Sequence, residues 1–235
     1  MTNTYFDLID QTFYFPQEGF DIENGYLVFN GIPLIHLIRK YGTPLRIGYL
    51  PKIRAQIKRA RNMFARAMNT SGYNGKYNFC YCTKSNHFRY VLEEVLELGA
   101  DLEISSSYDI DLIRSLYKKK KLTKDITIVC NGFKPENYLK KIAELINDGF
   151  HNVIPVCDNF HEVDYYAQHV KGEVQLGIRI ATEEEPNFEF YTSRLGIRHS
   201  QIVQFYQEKI AANPKFKLKM LHFFVDKGIK DSLYY

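Results

Sequence analysis

The chain has 235 residues and a mass of 27.6 kDa, enough for one large domain or two small ones with a sizeable core. Hydrophobic residues make up 45% and charged residues 25%, a globular balance that argues against global disorder and coiled coil. Net charge is a modest +4, no apolar run approaches the ~20 residues of a membrane span, and the polar start MTNTYFDLIDQTF is unlike a signal peptide. The expectation is a soluble, cytoplasmic protein with no membrane partner.

The first 49 residues differ from the rest. GYLVFNG at 25–31 predicts a strand, PLIHLIRKYG at 33–42 a short helix, and PLRIGYL at 44–50 another strand. This segment is expected to contribute to a second, β-rich domain. From residue 50 onward, helical and strand periodicities alternate. Pro51 to Met68 predicts a basic amphipathic helix opened by a proline. NFCYC at 78–82 follows as a strand, then a helix from Phe88 to Leu98 with Val91, Leu92, Val95 and Leu96 on one face and Gly99 as its stop. The unit repeats as strand 101–105 and helix 107–119, strand 126–130 and helix 135–148, and strand 152–157 and helix 160–169. Strand 173–180, a long loop, helix 200–211 and strand 217–225 close the series.

Several of these six strands are apolar on both faces, as parallel strands covered by helices should be. An open doubly wound sheet and a closed (β/α)₈ barrel compete. The first strand lacks a following G-x-G-x-x-G turn, which removes the main support for a dinucleotide-binding sheet. A barrel needs eight strands, and a barrel short of two would expose edges and core. The expected architecture is an α/β fold with an incomplete barrel over 50–235, in the amino-terminal portion of a longer protein.

Four cysteines (Cys80, Cys82, Cys130 and Cys157) are too few for a disulfide scaffold of this size. Cys80 and Cys82 share one strand face without a second pair at zinc-site spacing, so no metal site is expected. Residues 24–92 contain no Asp or Glu but Lys or Arg at twelve positions. Six of these (Lys52, Arg54, Lys58, Arg59, Arg61 and Arg66) fall in one helix. That face could attract a polyanion, but Ile53, Ile57, Ala60 and Phe64 on its other side fit a solvated amphipathic helix. No nucleic-acid partner is expected.

In barrels the carboxyl ends of the strands converge on one mouth. Those positions hold Lys84, Glu103 with Ser105 to Ser107, Asn131 with Gly132, Asp158 with Asn159, Arg179, and His222. A pocket of this kind suits a small polar cofactor. Lys84 follows FCYCT directly, and a lysine there can become nucleophilic toward carbonyls where burial or a neighbouring cation lowers its pKa.

The runs GYNGKYNFCYCTKSN, LELGADLEISSSYDI and ITIVCNGFK together resemble the amino-terminal half of the pyridoxal-phosphate-dependent biosynthetic arginine decarboxylases, members of the alanine-racemase-like barrel family. The similarity runs from about Tyr41 to Gly228, and its more specific elements are Tyr81, Lys84 and Asn86 together with Val129 to Lys134. The resemblance implies pyridoxal 5'-phosphate as cofactor and leaves a magnesium requirement open. It implies that Lys84 anchors the cofactor, that Glu103 and Ser106 line its pocket, and that Arg179 lies beneath its ring. Ser193-Arg194-Leu195-Gly196 resembles a family element whose basic residue, here Arg194, approaches the cofactor's phenolic oxygen.

One departure stands out. The family pattern after the sixth strand is L-H-F-H-x-G-S, whereas this chain reads Leu221-His222-Phe223-Phe224-Val225-Asp226-Lys227. Phe224 can stack on a ring but cannot hydrogen-bond, and Lys227 would meet phosphate as a point charge. His222 and Phe224 thus join the expected cofactor contacts. The implied activity is decarboxylation of arginine to agmatine in polyamine and spermidine biosynthesis. Alternatives are a decarboxylase of ornithine, lysine, diaminopimelate or carboxynorspermidine, or a non-catalytic homologue. The fragment alone is expected to be inactive, and the full-length enzyme to form a homo-oligomer around a small amino-acid substrate. Glu183, Glu184, Glu185 and Glu189 form a loop tract that could concentrate a dicationic substrate, although a solvated loop is the favoured reading.

Overall fold

A computed structural model of the chain describes residues 18–181 and 195–224. It divides into two compact units, 1–49 and 50–235. In the first, β1 (Phe20–Glu23), β2 (Tyr26–Phe29) and β3 (Ile32–Pro33) form an antiparallel sheet, followed by α1 (Leu34–Tyr41). Both hairpins turn on an Asn-Gly doublet with positive φ at each residue: Asn24 and Gly25, then Asn30 and Gly31. That is the two-residue geometry whose twist matches the flanking strands. The stretch expected to be one strand at 25–31 is therefore a strand ending in a second turn. The strand expected at 44–50 does not form: residues 45–49 are irregular, and Leu50 already opens a helix. Extended residues hold strand form only when a neighbour satisfies their N–H and C=O groups, and the three-stranded sheet contains β1 to β3 alone.

The second unit begins with α2 (Leu50–Ser71), whose Ile57 is buried. There follow β4 (Cys80–Cys82), α3 (Arg89–Glu97), β5 (Asp101–Ile104), α4 (Ser107–Lys118), β6 (Ile128–Cys130), α5 (Glu136–Asn147), β7 (Val153–Cys157), α6 (Phe160–His169) and β8 (Val174–Ala181). A two-residue strand β9 (Ile197–Arg198), α7 (His199–Phe205) continuing as a π-helical turn at Tyr206–Ala211, and β10 (Phe216–His222) complete the described chain. Strands β4, β5, β6, β7, β8 and β10 lie side by side in that order, all parallel, and β9 adds to the carboxyl end of β8. The expected series of six parallel strands is thus present, as part of a TIM-type barrel. Within this unit the strand β9 was unforeseen, and at two residues it is too short for a periodic signal.

Register explains the double-sided apolar pattern. Leu102, Ile128 and Val153 are level neighbours on one face, and Glu103, Val129 and Ile154 on the other. The first face joins Ile104, Cys130, Cys157, Leu176 and Ile178 against the helices in a continuous core. On the second face Val129, Ile154 and Val156 are also buried, and β8 is bare at Gly177. A Cβ there would stand 3.1 Å from Val156 Cγ2 and 3.4 Å from Met220 Cβ, so the absent side chain is what lets β7, β8 and β10 fold together on this side. Part of the basic face of α2 is tied down: Arg54 pairs with Glu94 at 2.8 Å, and Arg61 donates to the carbonyls of Leu98 (2.6 Å) and Gly99 (2.9 Å) beyond α3.

Candidate functional site

The inner face ends in polar side chains. Asn131 follows β6 directly, and its Nδ2 donates to Glu103 Oε1 on β5 at 3.1 Å and lies 3.3 Å from His222 Nε2 on β10. Arg179 on β8 donates from Nη1 to Asn131 Oδ1 at 3.4 Å and lies 3.9 Å from Asp158 Oδ1 beyond β7. In a flat sheet β6 and β10 would be about 14 Å apart, three strand spacings, too far for an amide and an imidazole to meet. Their contact shows that the sheet curls, with its carboxyl ends gathered around a concave mouth.

Behind this group lies a buried ionic cluster. Lys134 Nζ sits 2.9 Å from Glu162 Oε2 and 3.8 Å from Asp158 Oδ2, and donates to the carbonyls of Gly132 (3.0 Å) and Val156. The side chains of Lys134, Asp158 and Glu162 are 0%, 4% and 3% exposed. Burial raises the Glu162 carboxyl above its ordinary pKa, against the opposing pull of Lys134. Both Asp158 oxygens and His222 Nδ1 are buried without a hydrogen-bond partner among the described residues. Burial also lowers the His222 pKa; Glu103 and Asp158 pull the other way, and Arg179 and Lys134 add to the depression.

The expected residues are not all alike. Glu103, Arg179 and His222 come together through Asn131. Lys84 lies in the turn after β4 and is exposed. It is held close to Glu103 by its neighbour: Thr83 donates to the Glu103 carbonyl from both its N–H (2.9 Å) and its Oγ1 (3.2 Å). Ser106 occupies the N-cap position of α4, and its Oγ donates to Asp109 Oδ2 at 2.8 Å, with Ser105 N–H on the same oxygen at 3.2 Å. Its hydroxyl is thus engaged in the helix start. Phe224 follows β10 and is exposed. Arg194, the glutamate tract and Lys227 lie outside the described residues, but the segment after Arg194 is pinned to β8. Gly196 has φ +103°, and a Cβ there would fall 2.8 Å from Ala181 N and 3.0 Å from Arg179 O. Among the described residues no cluster of three His, Cys, Asp or Glu could hold a metal ion, and no helix is long and apolar enough to cross a membrane. Clefts of about 400 Å³ open at the opposite, amino-terminal ends of β7, β8 and β10, away from these side chains.

Asn131, Asp158 and Lys134 carry the site's connectivity, yet sequence reading placed the first two only as strand-end polar residues and Lys134 only as part of a motif. Their chemistry is relational: an amide becomes a hub only when four strands converge on it.

Residues 50–235 match the family described as the pyridoxal-dependent decarboxylase, pyridoxal binding domain. The chain belongs to that family. Among curated relatives of this decarboxylase family, a biosynthetic arginine decarboxylase of Prochlorococcus marinus is 25% identical over 218 residues, covering 86% of this chain and 33% of the relative. One from Klebsiella pneumoniae is 27% identical over 168 residues, covering 68% and 26%. The chain therefore spans about a third or less of the length of these relatives. A diaminopimelate decarboxylase of M. jannaschii, solved with L-lysine, superposes with TM-score 0.70 at 16% identity, covering 91% of this chain and 49% of that one. A lysine decarboxylase of Selenomonas ruminantium gives TM-score 0.62 at 16% identity, covering 83% and 45%. Both structural likenesses concern the fold.

Proposed function

We propose that this chain is the cofactor-binding portion of a pyridoxal-phosphate-dependent lyase that decarboxylates L-arginine to agmatine and carbon dioxide, supplying polyamine and spermidine synthesis. The observation that carries the reading is the gathering of Glu103, Asn131, Arg179 and His222 at one barrel mouth, with Lys84 in the turn after β4, the strand beside β5. The donor set fits the cofactor. It offers a primary amine at the rim, a guanidinium, and a buried ring nitrogen whose hydrogen bond no described residue fills. Lys84 would hold the cofactor through its aldehyde carbon, while Glu103, Arg179 and His222 would meet its polar substituents, with Ser106 and Arg194 as further contacts. Phe224 would offer an apolar face in place of a histidine. When bound, pyridoxal phosphate supplies an electron sink for the pair left behind as carbon dioxide departs. The protein's own task is to seat that group against fixed dipoles and to hold the Arg179 guanidinium in place beside it.

Arginine is favoured over ornithine, lysine, diaminopimelate and carboxynorspermidine because the curated relatives carry that activity in their names. The replacement at Phe224 favours a second reading, a homologue that binds the cofactor without turnover. The two separate in one experiment on the full-length enzyme of which this chain is a portion, loaded with pyridoxal phosphate. Wild type is expected to show the visible absorbance of a lysine-bound cofactor and to release carbon dioxide from arginine faster than from the other four amino acids. Lys84→Ala is expected to lose the band. A band that persists in Lys84→Ala refutes the anchor, and a normal band without carbon dioxide release selects the non-catalytic reading.

A further inference from the structure

The direction of the Asn131 amide is dictated by its neighbours. Its oxygen faces Arg179 Nη1 at 3.4 Å, and its nitrogen faces Glu103 Oε1 at 3.1 Å and His222 Nε2 at 3.3 Å. The reverse orientation would set amide N–H groups against guanidinium N–H groups and the amide oxygen against a carboxyl acceptor, so only one placement satisfies both sides. Both amide hydrogens are then used, one toward Glu103 and one toward His222. A ring nitrogen that receives an N–H must offer a lone pair, so Nε2 is unprotonated and the ring's single proton lies on Nδ1.

We propose that Asn131 is a positioning residue that holds His222 as the neutral Nδ1–H tautomer, leaving that N–H as a buried donor for an oxygen acceptor of the ligand in the mouth. The tautomer is the less favoured one for a free imidazole in water, so the protein must impose it. Nδ1 is buried with its hydrogen bond unfilled among the described residues, as a group awaiting a ligand would be. Four charged groups act on the ring electrostatically: Glu103, Arg179, Asp158 and Lys134. Protonating Nε2 would drive its N–H against the Asn131 amide, so the contact that sets the tautomer also opposes the imidazolium. The identity of the acceptor rests on the proposed cofactor reading; the tautomer does not.

The test is nitrogen-15 and proton NMR of the chain labelled at histidine, with His222 assigned among the seven histidines by the signal lost in His222→Gln. Unliganded wild type is expected to show Nδ1 protonated and Nε2 bare. Asn131→Asp, whose carboxylate can only accept, is expected to reverse this and move the proton to Nε2. Nε2–H in wild type overturns the proposal, as does an unchanged tautomer in Asn131→Asp. If that variant does not fold, the wild-type spectrum alone decides. Adding pyridoxal phosphate, then arginine, locates the acceptor: a downfield shift of Nδ1–H on the first addition assigns it to the cofactor, and one only on the second to the amino acid. No shift with a cofactor that visible absorbance shows to be bound refutes the donor role. Absence of that absorbance refutes the cofactor reading and leaves the tautomer result standing.

Discussion

Lys134→Met removes the one ammonium inside the cluster beneath the mouth. The substitution keeps the length and apolar stem of the side chain, so its cost is electrostatic rather than a cavity. Glu162 loses a partner at 2.9 Å and Asp158 one at 3.8 Å, while the carbonyls of Gly132 and Val156 lose their donor. Removing one member of a buried pair costs about 3–5 kcal/mol because the other charge is left stranded in a medium that solvates it poorly. With a slope near 2 kcal/mol per molar of urea, a loss of about 4 kcal/mol lowers the unfolding midpoint by about 2 M. Since the chain has no tryptophan, far-ultraviolet circular dichroism is the suitable probe. The pH dependence has a defined sign. Burial already raises the Glu162 pKa, so the native state holds that proton more tightly than the unfolded chain. Its contribution to stability is complete below the unfolded value and is lost as pH rises through the folded one. Taking away Lys134, which pulls the other way, carries that loss to higher pH. The deficit of Lys134→Met should therefore shrink on acidification, and Lys134→Met/Glu162→Gln should recover much of it at neutral pH. A deficit below about 1 kcal/mol, well under the range for a broken buried pair, or one independent of pH, would refute this account of the cluster.

Two further outcomes follow from packing. Gly196→Ala forces a side chain into backbone 2.8–3.0 Å away at a φ that favours glycine, costing about 1–3 kcal/mol and releasing residues 195–198 from β8, measured as faster amide exchange there and a lower melting temperature. Burial pushes the thiols of Cys130 and Cys80 up to about 12 and about 11 and raises that of Cys157 as well. A thiol reagent at pH 8 should therefore leave Cys130 and Cys157 untouched until the chain unfolds, and rapid native labelling of either would contradict their burial.

The helices and parallel strands were legible because their signals are local. Val91, Leu92 and Val95 recur at helical spacing, and β6 and β7 are apolar throughout, as strands covered on both faces must be. The amino-terminal hairpins were legible in principle, since Asn24-Gly25 and Asn30-Gly31 are strong turn doublets, but the apolar run between them drew attention as a single strand. Residues 44–50 look extended and find no strand neighbour, which no window along the chain can reveal. Within the site, Glu103, Arg179 and His222 were visible as polar residues at strand ends. Asn131 as their hub, and Lys134 as the buried counterion of Glu162, depend on which strand ends meet, a property of curvature rather than of spacing. Ser106 carries a second role that its type alone does not reveal: its hydroxyl donates to Asp109 at the start of α4.

The bare α-carbon at Gly177 bears on the mouth from below. Val156 and Met220 close over the spot where a methyl would stand, so β8 acts there like the fold line in a sheet of card. A bulkier residue at that crease would pry the neighbouring strands apart, and the gap would widen toward the rim. His222 and Asn131, with only 3.3 Å between them, would be the first to part company. The aim of an imidazole at the rim is thus governed by a hydrogen atom on the neighbouring strand β8, two residues before Arg179.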